Sequence, residues 1–261
     1  MLSNTVALLL AAGFGKRLKP LTDIWPKCLM PVHSRPLLDY WLERVYDLGL
    51  DKTIVNIHAH ENIVKEYLDR PRYKNWVTHS SEKSLQGTAG TLRNNYKSLN
   101  SKTVLIIHAD NWSSCNLKEF LYFHYNRKNK NFPITMMSFK TNTPETCGIL
   151  ELKKNTVVKM YEKSKNKHGN IANAAIYAIE PEVLDWININ PSVTDFSTQV
   201  IPKYLGRIYA WENLGIHKDI GTIKTLVGAN KDPKIKTKWN NKDNWQKIFE
   251  SSQIINKLKN C

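Results

Sequence analysis

Two glycines one residue apart, Gly13 and Gly15, run into Lys16 and Arg17, and ten residues on Lys27 stands between Pro26 and Cys28. All lie in "LLLAAGFGKRLKPLTDIWPKCLMPV", residues 8–32. Glycines at this spacing admit positive φ and close backbone approach, so successive N–H groups can face an anion. Arg17 can grip a phosphate through two parallel N–H bonds. Pro26 restricts the chain before Lys27 and helps aim its ammonium. These types in this order suit the holding of a triphosphate.

Two common phosphate loops fail on named residues. A dinucleotide fold needs G-x-G-x-x-G, but position 18 is Leu, and it needs an acid after the second strand, where "NIHAH" has none. A P-loop needs G-x-x-x-x-G-K-[ST], whereas Gly15-Lys16 is followed by Arg17 and lacks the upstream Gly. What remains is a glycine loop with added cations.

Strand-like and helix-like segments alternate around it. "TVALLLAA" (5–12) is apolar and bounded by Gly, as a central parallel strand requires. The periodicity then predicts a helix over 37–50, a strand over 53–59, a helix over 62–69 and a strand over 76–80. A loop follows over 81–90, then a helix from Thr91 to Leu99, a strand over 103–110 ending on Asp110, and a helix over 117–128. This β-α-β-α order predicts a doubly wound, mostly parallel α/β sheet. Beyond residue 132, "PITMMSFK", "GILEL", "TVVKMYEK" and "NAAIYAIEP" are short strands that suggest an antiparallel or mixed extension of that sheet. The stretch from 232 to 243 is rich in Lys and Asn and reads as a linker. Residues 244–259 are predicted to form an amphipathic helix with Trp245, Ile248, Phe249, Ile255 and Leu258 on one face. Such a helix either docks on its own domain or makes a homodimer contact.

Composition bounds the class. In 261 residues, 41% are hydrophobic and 23% charged, values of a globular protein with one large domain or two small ones. No run reaches the length of a membrane span, and residues 5–12 lack the basic leader and cleavage site of a signal peptide. Cys28, Cys115, Cys147 and Cys261 form neither a C-x-x-C pair nor a disulfide framework, which points to a reducing, cytoplasmic setting. The net charge of +15 raises a nucleic-acid partner. Its lysines are spread along the chain among many Asn, with no basic stripe and no known nucleic-acid module, so no such partner is expected.

The loop and the segments after it resemble the sugar-1-phosphate nucleotidyltransferases. Their signature, AAG-x-G-x-R-L-x-PLT-x-x-x-PK-x-L-x-P-[VI], is matched by residues 11–32. Further matches follow in the family's order: "QGTAGTL" (86–92), "HADN" (108–111), "EK" (162–163), "NAAIYAI" (173–179) and "DIGT" (219–222). The resemblance covers residues 5–229, giving a catalytic domain over 1–230 and a basic linker with a helix over 231–261. It implies a Rossmann-like, GT-A-like fold with a small antiparallel sugar-binding extension.

The activity it implies is nucleotidyl transfer, in which a sugar 1-phosphate attacks the α-phosphorus of an NTP and pyrophosphate leaves. By match to the motifs, Gly13, Gly15 and Arg17 cradle the β- and γ-phosphates, with Ala11, Ala12 and Lys16 in the same nucleotide loop, and Lys27 serves the α-phosphate. Asp110 and Asp219 hold Mg²⁺. Gln86, Gly87 and Thr88 read the base; "QGTAG" is most similar to the "LGTAG" of mannose- and heptose-1-phosphate guanylyltransferases, which favours GTP over CTP, UTP or dTTP. Gly148, Glu162, Lys163 and Asn173 match positions that bind the sugar phosphate, with Cys147 where the family has Tyr. The product is a nucleotide sugar for a polysaccharide or other glycan. A regulatory subunit that binds nucleotide sugars is the non-enzyme alternative; it predicts loss of Arg17, Lys27, Asp110 or Asp219, and all four are present.

Overall fold

The computed structural model describes residues 4–50, 52–127, 131–164, 166, 168–239 and 243–259. In chain order the elements are β1 (Thr5–Leu10), β2 (Pro31–Val32), β3 (Arg35–Pro36), α1 (Leu37–Tyr46), β4 (Lys52–Ile57), α2 (Glu61–Leu68) and β5 (Val77–Ser81). Next come α3 (Gly87–Asn94), α4 (Tyr96–Leu99), β6 (Thr103–His108), β7 (Asn111–Ser113), α5 (Leu117–Asn126), β8 (Ile134–Lys140), β9 (Gly148–Lys153), β10 (Thr156–Glu162) and β11 (Ile171–Ile179). The chain ends with α6 (Pro181–Ile189), α7 (Ile201–Tyr204), β12 (Ile208–Glu212), β13 (His217–Asp219), α8 (Ile223–Ala229), α9 (Asn244–Ser251) and α10 (Gln253–Lys259). These fall into two compact units.

One unit holds residues 1–8, 86–107 and 115–215. Its strands run in the order β1-β6-β11-β8-β12-β10-β9. The sheet is mixed: β12 is parallel to β8, while β11 is antiparallel to both β6 and β8, and β10 to both β9 and β12. Antiparallel pairing thus reaches as far as β6, because β11 lies between β6 and β8. Strand β11 is legible as a strand from its residues, but its neighbours are many residues away in sequence and no local pattern names them. The core of this unit is apolar, with Val104, Ile106, Ile107, Phe120, Met136, Ile176 and Ile179 at 1% exposure or less.

The other unit holds residues 9–85, 108–114 and 216–261. It contains the parallel pair β4–β5 joined through α2, the hairpin β2–β3, and an antiparallel ribbon of β7 with β13. Helix α1 buries Leu37, Leu38, Trp41, Leu42 and Val45, the spacing of one helical face. It stops at Tyr46, short of the expected residue 50, and the chain turns through Gly49 at φ +65°.

Three expectations need correction, the first being the helix from Thr91 to Leu99, which is two, α3 and α4, parted at Asn95. Residues 81–90 are expected as loop, but α3 starts at Gly87; its first-turn amides, which lack partners within the helix, are satisfied from outside, Ala89 N–H donating to Thr194 O at 2.9 Å. Nothing local to these glycines marks a helix, because the tertiary partner is distant in sequence. The single helix expected over 244–259 is two, broken at Ser252, where ψ is 154°. Trp245, Phe249 and Ile255 are buried and Leu258 is half-buried, whereas Ile248 is exposed. Both helices dock within their own unit, and from the Lys/Asn-rich stretch Trp239 packs as well, meeting Tyr46, Tyr73 and Trp76. Residues 240–242 of that stretch, Lys128 at the end of the helix expected over 117–128, and Cys261 lie outside the described residues. Cys28, Cys115 and Cys147 are free thiols. Among the described residues no helix is long and apolar enough to cross a membrane.

The first unit carries a buried titratable cluster with a consequence for stability. His124 of α5 is fully buried; its Nδ1 pairs with Thr135 Oγ1 at 2.7 Å and its Nε2 lies 3.0 Å from Glu180 Oε1. Burial, the larger influence, pulls the imidazole below its ordinary value against the opposing pull of Glu180. Glu180 is itself held below the usual carboxylate range by His124 and by Arg127. A folded-state value below the unfolded one means that the unfolded chain binds more protons, so stability is lost as pH falls. For His124 that loss starts near its unfolded value of about 6.5. The melting temperature should therefore drop between pH 7 and pH 5, and the drop should shrink in His124→Gln. Thermal melts at pH 7, 6 and 5 decide it; parallel slopes in the two proteins would refute the assignment.

Candidate functional site

The cation loop leaves β1 in the unit of residues 9–85, 108–114 and 216–261. At its start Ala11 N–H donates to the buried Asn56 Oδ1 at 2.7 Å, and Ala12 O accepts from Ala59 N–H. The Ala11 amide is thus engaged inside the protein and anchors the loop to β4. Gly13 has open space where a side chain would stand. Gly15 does not: it sits at φ +62°, and a Cβ there would lie 2.8 Å from Thr22 Cγ2 and 3.2 Å from Lys27 Cβ. Only glycine meets both conditions. Lys16 and Arg17 follow in a single 3-10 turn whose Leu18 is fully buried, leaving both basic side chains at the surface. Lys16 Nζ stands 5.9 Å from the ring of exposed Phe14, which meets His58 edge-on.

Lys27 opens a second 3-10 turn after Pro26, which has φ −68° and ψ 141°. The extended proline turns the chain, and the lysine side chain runs inward to only 10% exposure. Its ammonium meets two carboxylates at once, a short contact to Asp110 Oδ2 and one of 3.2 Å to Asp219 Oδ1. The ribbon β7–β13 brings these acids together, pairing Asn111 with Asp219 so that Asp110 stands next to the same rung; Ile220 N–H also donates to Asp110 O. Asp110 lies in the turn after β6, two residues beyond the strand that was expected to end on it. Arg17 Nη2 reaches Asp219 Oδ2 at 3.4 Å. Gly221 makes room for that contact, since a Cβ there would stand 2.6 Å from Asp219 Oδ2 and 2.7 Å from Arg17 Nη2.

The titrations follow from this geometry. Burial alone would lower Lys27, but Asp110 and Asp219 outweigh it and the ammonium is held above its ordinary value. Burial alone would raise Asp110, but the Lys27 charge, His108 and the Lys27 hydrogen bond outweigh it, so its carboxyl is held below the usual range. Burial pushes the neighbouring Cys28 thiol up to about 12, so it is no nucleophile. The donor set fits Mg²⁺. Two carboxylates from distant segments converge on one positive charge, with all-oxygen ligands and few protein donors, as this ion prefers.

The other expected residues lie in the unit of residues 1–8, 86–107 and 115–215. Gly148 faces Glu162 directly in the β9–β10 register, and a Cβ at Gly148 would lie 2.9 Å from Glu162 Oε2. Lys163 has φ +46°, its N–H held by Cys147 O at 3.0 Å, and its Nζ lies 3.8 Å from Glu162 Oε1. Asn173 stands at an irregularity of β11. Its Oδ1 accepts from Ala175 N–H at 2.9 Å and its Nδ2 donates to Tyr177 OH at 2.7 Å. Met160 joins the group, its sulfur 3.9 Å from Asn173 Nδ2 and 3.3 Å from where a Gly148 Cβ would be. Met160 and Tyr177 were missed from the sequence. Alternation along β10 puts Met160 on the face of Glu162, the signal that would have found it. Cys147 is half-buried, its sulfur 3.9 Å from Thr141 Oγ1.

Gln86, Gly87 and Thr88 sit together at the start of α3. The Thr88 hydroxyl accepts from Phe196 N–H at 2.7 Å and donates to Asp195, so it holds the turn at 196–200. Gly87 has φ +73°, and a Cβ there would fall 2.4 Å from Thr194 O. Gly87→Ala should therefore destabilise by roughly 2–4 kcal/mol, combining left-handed backbone strain with a clash against fixed backbone. Urea unfolding measures it; an unchanged midpoint would refute the packing described.

Residues 6–235 match the family described as nucleotidyl transferase. The chain is 31% identical over 230 residues to mannose-1-phosphate guanylyltransferase 1 of Arabidopsis thaliana, covering 85% of this chain and 62% of that protein. It is 26% identical over 229 residues to the mannose-1-phosphate guanyltransferase of Saccharomyces cerevisiae, covering 85% of this chain and 63% of that one. It thus spans about three-fifths of the length of these relatives. A crystal structure of a Bacillus anthracis protein, provisionally described as a glucose-1-phosphate thymidylyltransferase in complex with a sucrose, superposes with a TM-score of 0.77. It covers 89% of this chain and 98% of that chain, at 20% identity, and so shares the fold. With its signature loop intact and nearly nine-tenths of its length matched, the chain belongs to the nucleotidyl transferase family.

Proposed function

We propose that the protein transfers a nucleoside monophosphate from an NTP, GTP being favoured, to a sugar 1-phosphate of the mannose or heptose type, releasing pyrophosphate. The observation that carries the reading is the Lys27 ammonium set between Asp110 and Asp219 beside a glycine loop with Arg17. Sugar-phosphate oxygen forms a bond to the α-phosphorus, the bond to the β-phosphate oxygen breaks, and its electron pair leaves on pyrophosphate. Gly13, Gly15, Lys16 and Arg17 hold the β- and γ-phosphates, and Lys27 neutralises charge that grows at the α-phosphoryl group. Asp110 and Asp219 would hold Mg²⁺, which when bound screens the phosphate oxygens from one another and polarises the phosphoryl group. Glu162 and Asn173 take sugar hydroxyls and Lys163 the sugar phosphate. Gln86, Gly87 and Thr88 read the base, by backbone groups in the case of Thr88, whose hydroxyl is engaged.

The guanine preference draws on the relatives named above and on the likeness of "QGTAG" to "LGTAG". Gln86 in place of Leu favours, as the second reading, a cytidylyl-, uridylyl- or thymidylyltransferase, because an amide can pair with a pyrimidine edge. Three free thiols among the described residues and a nucleotide substrate support a cytoplasmic setting as part of this reading. Pyrophosphate release with Mg²⁺, crossing common NTPs and dNTPs against a panel of sugar 1-phosphates that includes mannose and a heptose, tests all of this. Release with GTP and mannose or heptose 1-phosphate is expected. Release with one pyrimidine nucleotide alone would establish the second reading, and silence with firm nucleotide-sugar binding would make the protein a regulatory subunit.

A further inference from the structure

We infer that α9 and α10 brace the Lys27 loop, with Trp25 as the positioning residue through which they act. The proposal rests on the nucleotidyl-transfer reading for its kinetic consequence. Trp25 lies two residues before Lys27, at a variable position of the signature. Its Nε1–H donates to Leu29 O at 3.1 Å. That bond closes over the turn that aims Lys27, where Leu29 N–H donates to Pro26 O at 3.0 Å and Met30 N–H to Lys27 O at 3.1 Å.

The indole of Trp25 is held in turn by the C-terminal helices. The Phe249 ring lies 5.8 Å away and the Trp245 ring 6.3 Å, and these two stack on each other at 5.2 Å. Phe249 is fully buried. Helix α9 is itself pinned: Asp243 caps it through Gln246 N–H and accepts from Arg70 Nε at 2.8 Å, while Gln246 Nε2 donates to Ser34 O. Helix α10 packs on the turn Leu21–Asp23. From that turn the Thr22 hydroxyl donates to Gly15 O at 3.0 Å. Residues 244–259 therefore support both flanks of Lys27, through Trp25 on one side and through Thr22 and the phosphate loop on the other. They lie beyond residue 235, where the family match ends, so this brace belongs to this chain's own C-terminal segment. A lysine that must neutralise charge at one phosphorus loses effect with small displacements. A helix pair that merely fills surface would leave the turn at Pro26–Met30 unchanged when its aromatic contact is trimmed.

The test uses the whole chain with Phe249→Ala, Phe249→Leu and Trp25→Phe, the last removing the indole N–H while keeping a ring. Amide hydrogen exchange is read at Leu29 and Met30, with β4 as the internal reference. Exchange at these two amides should quicken at least about tenfold in Phe249→Ala and in Trp25→Phe, and less in Phe249→Leu, with β4 unchanged. With the substrate pair of the wild type, kcat should fall about tenfold while KM for the sugar phosphate stays within about twofold. Should Phe249→Ala fail to fold, the other two variants carry the test. Unchanged exchange at Leu29 and Met30, or unchanged kcat in folded variants, overturns the brace. The exchange experiment needs no substrate, so a wild type inactive on every NTP would sink the nucleotidyl reading and leave the structural half of this inference decided on its own.

Discussion

Lys27→Met should lower turnover by about 10²–10³-fold, with Met filling much of the same volume. The size follows from what the ammonium faces: removing one preorganised donor from a site of developing charge lowers kcat by about that factor. Lys27 is buried and meets both carboxylates, whereas the exposed Arg17 reaches Asp219 and does not supply the contact to Asp110. Pyrophosphate release measures the loss, and circular dichroism shows whether the variant is folded. A second readout comes from pH. In the wild type Asp110 is held low and Lys27 is held high. The Asp110 contribution is present above its unfolded value of about 3.9 and is lost as pH falls through the folded value. The Lys27 contribution is present below about 10.4 and is lost as pH rises through its folded value. The ion pair therefore adds stability across the whole neutral range. In Lys27→Met the burial of Asp110 acts without the ammonium and pushes its carboxyl up, which destabilises the charged form. The gap in melting temperature between wild type and variant should be widest near neutrality and narrow toward pH 4. Near-normal turnover, or a gap that widens on acidification, would remove Lys27 from the role given to it.

Asp110→Asn is expected to reduce turnover about 100-fold or more and to raise the Mg²⁺ concentration needed for half-activity. The amide keeps the carboxylate's shape and removes its charge, so packing around Trp112 and Ile220 should survive. Lys27 keeps its contact of 3.2 Å to Asp219 and stays oriented. Metal-free NTP binding should hold or tighten, because a negative charge beside the phosphates is gone, while the Mg²⁺-dependent rate falls. That opposite movement separates a metal ligand from a residue that merely supports the fold, which would weaken both together. Asp219→Asn should behave alike, with the added release of Arg17 from its contact at 3.4 Å. Unchanged Mg²⁺ dependence in both variants would put the ion elsewhere.

The local parts of this protein were legible because short-range sterics decide them. The apolar run before Gly13 had to be a buried strand, and β1 is one. Gly15 could be marked from its spacing alone, and its φ of +62° and the crowding by Thr22 and Lys27 give the reason. Pro26 was legible as a restriction on the chain before Lys27, and the structure adds the 3-10 turn Lys27–Leu29 that follows it. The alternation of strands and helices up to residue 126 reads directly from periodicity, with ends moved by a few residues where fraying and turns intervene.

Other features had no local signal, and for Asp110 and Asp219 only the resemblance put the two together. "HADN" and "DIGT" each carry an acid, and either acid taken singly reads as well as a cap or a turn residue. Only the antiparallel rung Asn111–Asp219 sets both against one ammonium, across more than a hundred residues of sequence. The same holds for Thr194 O on the first turn of α3, for Met160 beside Asn173, and for Phe249 against Trp25. Backbone conformation and amphipathic faces are set within a few residues, so the sequence by itself determined the glycine loop after β1, the left-handed Gly15 and the restricted chain before Lys27. Which distant segments become neighbours depends on strand register and on which apolar faces are left to bury, and the tertiary structure decided how Asp110 and Asp219 meet on Lys27, where α3 starts and what the C-terminal helices pack against.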